Sequence, residues 1–401
     1  MALPLDKVRV LDLTNVVAGP LASYHLVMLG ADVIKIEVPG VGDLSRKLGA
    51  DQALGQKQMG ASFLAVNAGK KSLTLNLKDA RGKEIFKKLL LTTDVVLENF
   101  RPGTMKKLGL DYPVLKDIHP SLIYCAVSGF GQEGPFSQRP SYDQIIQGYC
   151  GLMSVTGDEK TAPMRAGYIV CDTMAAVTAA FAISAALYRR EKSGEGEMID
   201  VSMLDTALAT MASWPVSNYL NAAKVPAPMG NDSHTSSPSG TFRAGNGLLN
   251  IVVNEQKQWK SLCDVIGRPE FKTDPHLADA HTRMANRDMV RALLEEALQE
   301  KSADEWEHLF NEAGVPAGLI LNLPEVIRHP QIESRQLLQR FENVPGVDRD
   351  IEVSRLGFRL GKEQPHVTNP PPLLGQDTDD LLLKAGYSID EISDFRLGGV
   401  I

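Results

Sequence analysis

The feature that most constrains this chain is an ordered alternation near its start. The run Val8–Leu13 (VRVLDL) is short and rich in Val and Leu, and it is followed by AGP, a helix-like stretch from Leu21 to Leu29, Gly30 and a second apolar run, ADVIKIE. Strand, helix, strand is the unit of a parallel sheet, because parallel neighbours need a long crossover and the helices that supply it cover the sheet. Similar units recur in SLTLNL, a helix from Ala80 to Leu91 and DVVLEN; then SLIYCAVSG; then a helix from Thr173 to Tyr188 and MIDVSM. The first half is therefore expected to be a doubly wound, Rossmann-like α/β domain.

A hydrophobic share of 43% against 23% charged residues suits a soluble globular protein with a sizeable core. The net charge of -7 supplies no overall basic field. Neither nucleic acid nor a membrane surface is an expected partner, and an anionic ligand must be met by local cations and backbone N–H groups. The opening residues MALPLDKVRVLDL lack the pattern of an export signal, so a cytoplasmic location is expected. The Ala-rich run Met174–Tyr188 is short for a bilayer and reads as a buried helix. Cys125, Cys150, Cys171 and Cys263 form no CxxC pair and the histidines no HExxH pattern, so no disulfide framework and no metal are expected.

Between Lys224 and Gly240 the run VPAPMGNDSHTSSPSG cannot continue a helix and reads as a linker. After it, GLLNIVVN reads as a strand, and helical periodicity over Gln256–Ala313 completes a smaller α+β domain.

Several stretches hold groups able to do chemistry. In AGPLAS, Gly19 permits a tight turn and Pro20 suits a first helical turn; such a start can hold a phosphate or be only a turn. Its spacing is not GxGxxG, and a nicotinamide cofactor is not supported. LENFRPGTMKKLGL follows the strand DVV, which puts Asn99, Phe100 and Arg101 at a strand's carboxyl end, where such sheets bind ligands. Asn99 can donate and accept, Phe100 can cover a planar ring, and Arg101, Lys106 and Lys107 can meet phosphates, although a solvated basic loop would read the same. SGFGQEGPF follows another strand as a close-approach loop or a plain turn, and SQRPSYDQ adds Arg139, Tyr142 and Asp143.

MRAGYIVCDTMAA sets a thiol beside a carboxylate. Asp172 stands just before a helix-like segment, so it reads either as an N-cap or as a carboxylate kept ionised by the helix start and available as a nucleophile. Cys171, on the apolar strand-like run GYIVC, reads as a small core residue.

Together these stretches resemble the class III CoA-transferases, the CaiB/BaiF or formyl-CoA transferase family. The likeness runs nearly end to end, through VRVLDLTNVVAGPLAS, LGADVIKIEVPGVGDLSR, NAGKKSLTLNLK, DVVLENFRPGTMKKLGLDY, SGFGQEGPF, CDTMAA, ALYRREKSGEGEMIDVSMLD, QWKSLCDVIGRPE, AGVPAG and PPPLLGQDTDDLL. The resemblance implies that Asp172 attacks an acyl-CoA thioester to form a mixed anhydride and then an aspartyl-CoA thioester. Coenzyme A enters as substrate, with no tightly bound cofactor, and small carboxylic acids, dicarboxylates among them, are the exchange partners. The family's CoA contacts would fall on Val16, Ala18, Lys71, Asn99, Phe100 and Lys107, with Arg101 and Arg139 added from their chemistry.

The loop holding Gly129, Gly131 and Gln132 would supply oxyanion donors or a lid. Polar linker residues, His234 among them, would meet a second carboxylate or stay solvated. Val17, Val38 and GNDSHTSSPSG depart from formyl-CoA transferases proper, which makes oxalate a less expected acceptor, and Tyr142 stands where racemases of the superfamily place a histidine. The alternatives are an acyl-CoA epimerase or a CoA-binding protein without turnover. The resemblance also implies a division into residues 1–223 (large domain, first part), 224–330 (linker and small domain) and 331–401 (return to the large domain), in an interlocked homodimer.

Overall fold

The computed structural model describes residues 3–401. The chain divides into two compact units. One is built from the chain up to Leu152, Arg165–Val225 and Pro330–Ile401, the other from Met153–Met164 and Pro226–His329. Set beside the expected boundaries, Met153–Met164 is an addition to the smaller unit that no composition shift signals.

The large unit is organised by a six-stranded parallel sheet of β1 (Arg9–Asp12), β2 (Asp32–Glu37), β3 (Lys71–Thr74), β4 (Val95–Glu98), β5 (Ile123–Ser128) and β6 (Glu197–Ser202), in the order β3-β2-β1-β4-β5-β6. Alternate residues feed two cores, as strand geometry requires: Val95 and Leu97 face one side, Val96 the other. The first core carries the helices Ala18–Met28 and Val170–Ser193, the second Ala80–Leu90 and the C-terminal helices Thr378–Lys384 and Ile389–Leu397. The C-terminal segment covers the edge strand β3: Asp377 accepts from the Ser72 N–H at 2.8 Å, and the Thr378 hydroxyl from the Thr74 N–H at 3.0 Å.

Strand order reverses between β1 and β4, and the crevice outside their carboxyl ends is where such sheets take ligands. The loop after β1 is held there by buried charge. Lys35 pairs with Asp43 at 2.8 Å and donates to the Thr14 carbonyl at 2.7 Å, while Asp43 accepts the Val16 N–H at 3.0 Å. Arg46 clamps Glu37 with two hydrogen bonds of 2.7 and 2.8 Å, and Lys70 meets Asp12 at 3.1 Å. Val16 is thereby kept at φ 68°, a left-handed conformation unusual for a β-branched residue. Gly19 proves not to be the turn: it lies inside the helix, and a Cβ there would stand 2.2 Å from the Thr14 methyl, so glycine serves close packing.

Two expectations about the long helix change. GYIVC forms no strand, since Val170 and Cys171 already belong to the helix, and that helix runs to Ser193, 24 residues, long and apolar enough to cross a membrane. Its alanine face (Ala175, Ala176, Ala179, Ala180) packs into the first core instead.

The smaller unit packs an antiparallel sheet, β7 (Ser239–Ala244), β8 (Gly247–Val252) and β9 (Ala317–Leu319), against helices around Trp259, Trp306 and Phe310.

Arg46→Met would leave Glu37 buried and unpaired, and should cost about 3–5 kcal/mol in chemical denaturation. Adding Glu37→Leu should recover most of that loss.

Candidate active site

A cleft of about 300 Å³ opens at the switch point. It is lined by the β1 loop (Asn15 to Ala18), the β4 loop (Asn99 to Pro102), the β5 end (Val127 to Gly129), Ser137, Arg139 to Tyr142, Asp172 and Met203. Val16, Ala18, Asn99, Phe100, Arg101, Gly129, Arg139, Tyr142 and Asp172 are thus brought together from five segments. The helices starting at Ala18 and Val170 pack side by side with their amino ends at this cleft, so two positive dipole ends converge there.

Other expected residues lie elsewhere. Lys71 begins β3 and pairs with Asp32 at 2.5 Å; both sit at the amino ends of parallel strands, the far edge of the sheet from the cleft. Lys107 is exposed on the short helix Thr104–Leu108, outside the lining. Gly131 and Gln132 do not line the cleft either, and the Gln132 N–H, sought as an oxyanion donor, is given to Asp200 at 2.9 Å. His234 belongs to the smaller unit.

Asn99 has work besides any ligand. Its side chain accepts the Asn15 N–H at 2.8 Å and donates to the Asn15 carbonyl at 2.9 Å, locking the β1 and β4 loops together. The Phe100 N–H is held by Glu98 at 2.7 Å. The two arginines stand at the cleft without an ion pair among the described residues. Arg101 donates to the Gln138 carbonyl, and Arg139 lies 3.6 Å over the Phe136 ring and donates to the Tyr149 hydroxyl at 3.0 Å. Both guanidinium groups keep donors for an anion.

Asp172 lies in the first turn of its helix and does not cap it; Ile169 is the N-cap residue and supplies no side-chain bond. The capping comes from Asp143, whose carboxylate accepts the Cys171 N–H at 2.7 Å and the Asp172 N–H at 3.2 Å. Gln147, one turn after Asp143, donates to it at 2.6 Å and accepts the Ala166 N–H at 2.8 Å, tying the approach segment to the helix start. The spacing D-x-x-x-Q on one helix face was the available signal for this clamp. Burial, with the Asp143 charge beside it, pushes the Asp172 carboxyl up to about 7. No hydrogen bond to that carboxylate forms among the described residues. The result is one carboxylate satisfied by backbone donors and a second, in the cleft, with no hydrogen-bond partner among the described residues. Cys171 is fully buried; its hydrogen bond with Cys150 and its burial raise the thiol, which removes it as a thiolate nucleophile.

The fold and cleft define a doubly wound α/β protein with a switch-point ligand site. The family model for CoA-transferase family III matches residues 5–378. The chain is 39% identical to an acetyl-CoA:oxalate CoA-transferase of Acetobacter aceti, over 93% of each chain. It is 35% identical to the human succinyl-CoA:glutarate CoA-transferase over 99% of this chain and 90% of that protein. Among solved structures, a CaiB/BaiF family protein from Brucella suis superposes with a TM-score of 0.83 at 32% identity, covering 96% of this chain and all (100%) of that one. The chain belongs to CoA-transferase family III and is a transferase.

Because the Asp172 carboxyl sits near 7 in the folded protein and near 3.8 as a free group, the folded state holds a proton that the unfolded chain releases between these values. Asp172 therefore costs stability above about pH 7 and nothing below about pH 4. Asp172→Asn should raise the melting temperature at pH 8, with the gain shrinking as pH falls towards 4.

Proposed function

We propose that this chain moves CoA from succinyl-CoA or another short acyl-CoA to a small carboxylic acid, a dicarboxylate in the first instance, with Asp172 as the nucleophile. The observation that carries the reading is a carboxylate left without hydrogen bonds in the switch-point cleft, at a helix start capped by another residue. An Asp172 oxygen attacks the thioester carbonyl, CoA leaves as thiolate, and an acyl-aspartyl anhydride forms. The thiolate then attacks the aspartyl carbonyl, which releases the donor acid and leaves an aspartyl-CoA thioester. The acceptor carboxylate displaces the thiolate from that thioester, and the thiolate takes the acceptor's acyl group from the second anhydride, freeing Asp172. Each step conserves the thioester's activation, and no net proton is consumed.

In this reading Arg101 and Arg139 take the anionic groups of CoA and Phe100 covers its ring, supported by their lining the same cleft. The dicarboxylate reading draws on relatives named for glutarate and mesaconate as acceptors, at 35% identity each. A homodimer is supported by the apolar residues that the long helix leaves outside the core: Val177, Phe181 and Tyr188 are 52%, 72% and 66% exposed.

Asp172→Asn should lower turnover by about 10³-fold or more while leaving CoA affinity within a few-fold; retained turnover would remove Asp172 from this role. In the free enzyme kcat/KM should rise with pH through about 7, since the ionised carboxylate is the attacking form.

A further inference from the structure

Ser128 is the last residue of β5 and lines the cleft together with Asp172. It is 8% exposed, and its hydroxyl oxygen is buried with no hydrogen-bond partner. A buried hydroxyl without a partner is costly, and in a ligand cleft the missing partner is a ligand group. The neighbouring backbone is fixed: Gly129 accepts the Leu204 N–H at 3.0 Å, and a Cβ at Gly129 would stand 1.8 Å from the Ser141 hydroxyl. The backbone that carries Ser128 is therefore held at the β5 end.

Charge sorts the ligand's parts. Arg101 and Arg139 are the cations lining the cleft, so anionic groups go to them, whereas a neutral hydroxyl suits a neutral polar atom. We propose that Ser128 is a substrate-binding residue whose hydroxyl donates a hydrogen bond to a carbonyl oxygen of the acyl-pantetheine arm of CoA, holding the arm in the cleft beside Asp172. The inference rests on the CoA-transferase reading above.

The test is calorimetric binding of CoA, and separately of adenosine 3′,5′-bisphosphate, to wild type, Ser128→Ala and Ser128→Cys. Ser128→Ala should weaken CoA binding about tenfold, the scale of one lost hydrogen bond, and leave the nucleotide half's affinity unchanged. Ser128→Cys, a weaker donor, should fall between. The melting temperature of unliganded Ser128→Ala should equal or exceed that of wild type, because an orphaned hydroxyl is removed. Equal CoA affinity in Ser128→Ala and wild type, equal losses for both ligands, or a lower melting temperature with unchanged affinity would each overturn the assignment. Failure of wild type itself to bind CoA would overturn the functional reading and this inference with it.

Discussion

Three buried ion pairs beneath the switch point decide where the cleft's backbone lies. Lys35 with Asp43, Arg46 with Glu37, and Lys70 with Asp12 are all withdrawn from water. Charges so placed are tolerated only when paired and hydrogen-bonded. Burial alone would neutralise Glu37, yet the hydrogen bonds from Arg46 and the charge of Lys35 outweigh it and hold the carboxyl below its usual range. The same groups reach outward to the Thr14 carbonyl and the Val16 N–H, so the β1 loop's strained conformation is an extension of this network. Arg46 also donates to the Pro372 carbonyl at 3.2 Å, which brings the C-terminal segment into the same frame.

On that frame the site works by unequal treatment of two carboxylates. Asp143 takes the amide donors of the helix start and the Gln147 amide, and is satisfied. Asp172, in the first turn of the same helix, receives none of these at its carboxylate, and burial next to Asp143 raises its carboxyl. The positive ends of two helices and the guanidinium groups of Arg101 and Arg139, which form no ion pair among the described residues, give the cleft positive potential without a direct ion pair to Asp172.

Much of the sheet was legible because its central strands are buried on both faces and read as continuous apolar runs separated by helical spacing. β1, β2, β4, β5 and β6 fall within a residue or two of VRVLDL, ADVIKIE, DVVLEN, SLIYCAVSG and MIDVSM, whereas β3 begins one residue before SLTLNL and ends three residues short of it. The placement of Asn99, Phe100 and Arg101 at the β4 end followed from strand direction alone. GYIVC was misread because an apolar run of that length fits a strand and a helix start equally well, and the tertiary hydrogen bonds from Asp143 decide between them. Lys71 was assigned from the resemblance against strand direction: it precedes SLTLNL, and the first residue of a parallel strand lies at the end opposite the ligand crevice. Ser128 carried no local signal at all: a serine after an apolar strand is ordinary, and only its burial without a partner distinguishes it.

The central claim, that Asp172 carries CoA during exchange, is tested most directly by mass spectrometry of enzyme quenched while turning over succinyl-CoA. The account predicts a peptide containing Asp172 heavier by CoA less water, and sensitive to hydroxylamine as a thioester is. Sustained CoA exchange with the Asp172 peptide unmodified, or with the label on another residue, would contradict it.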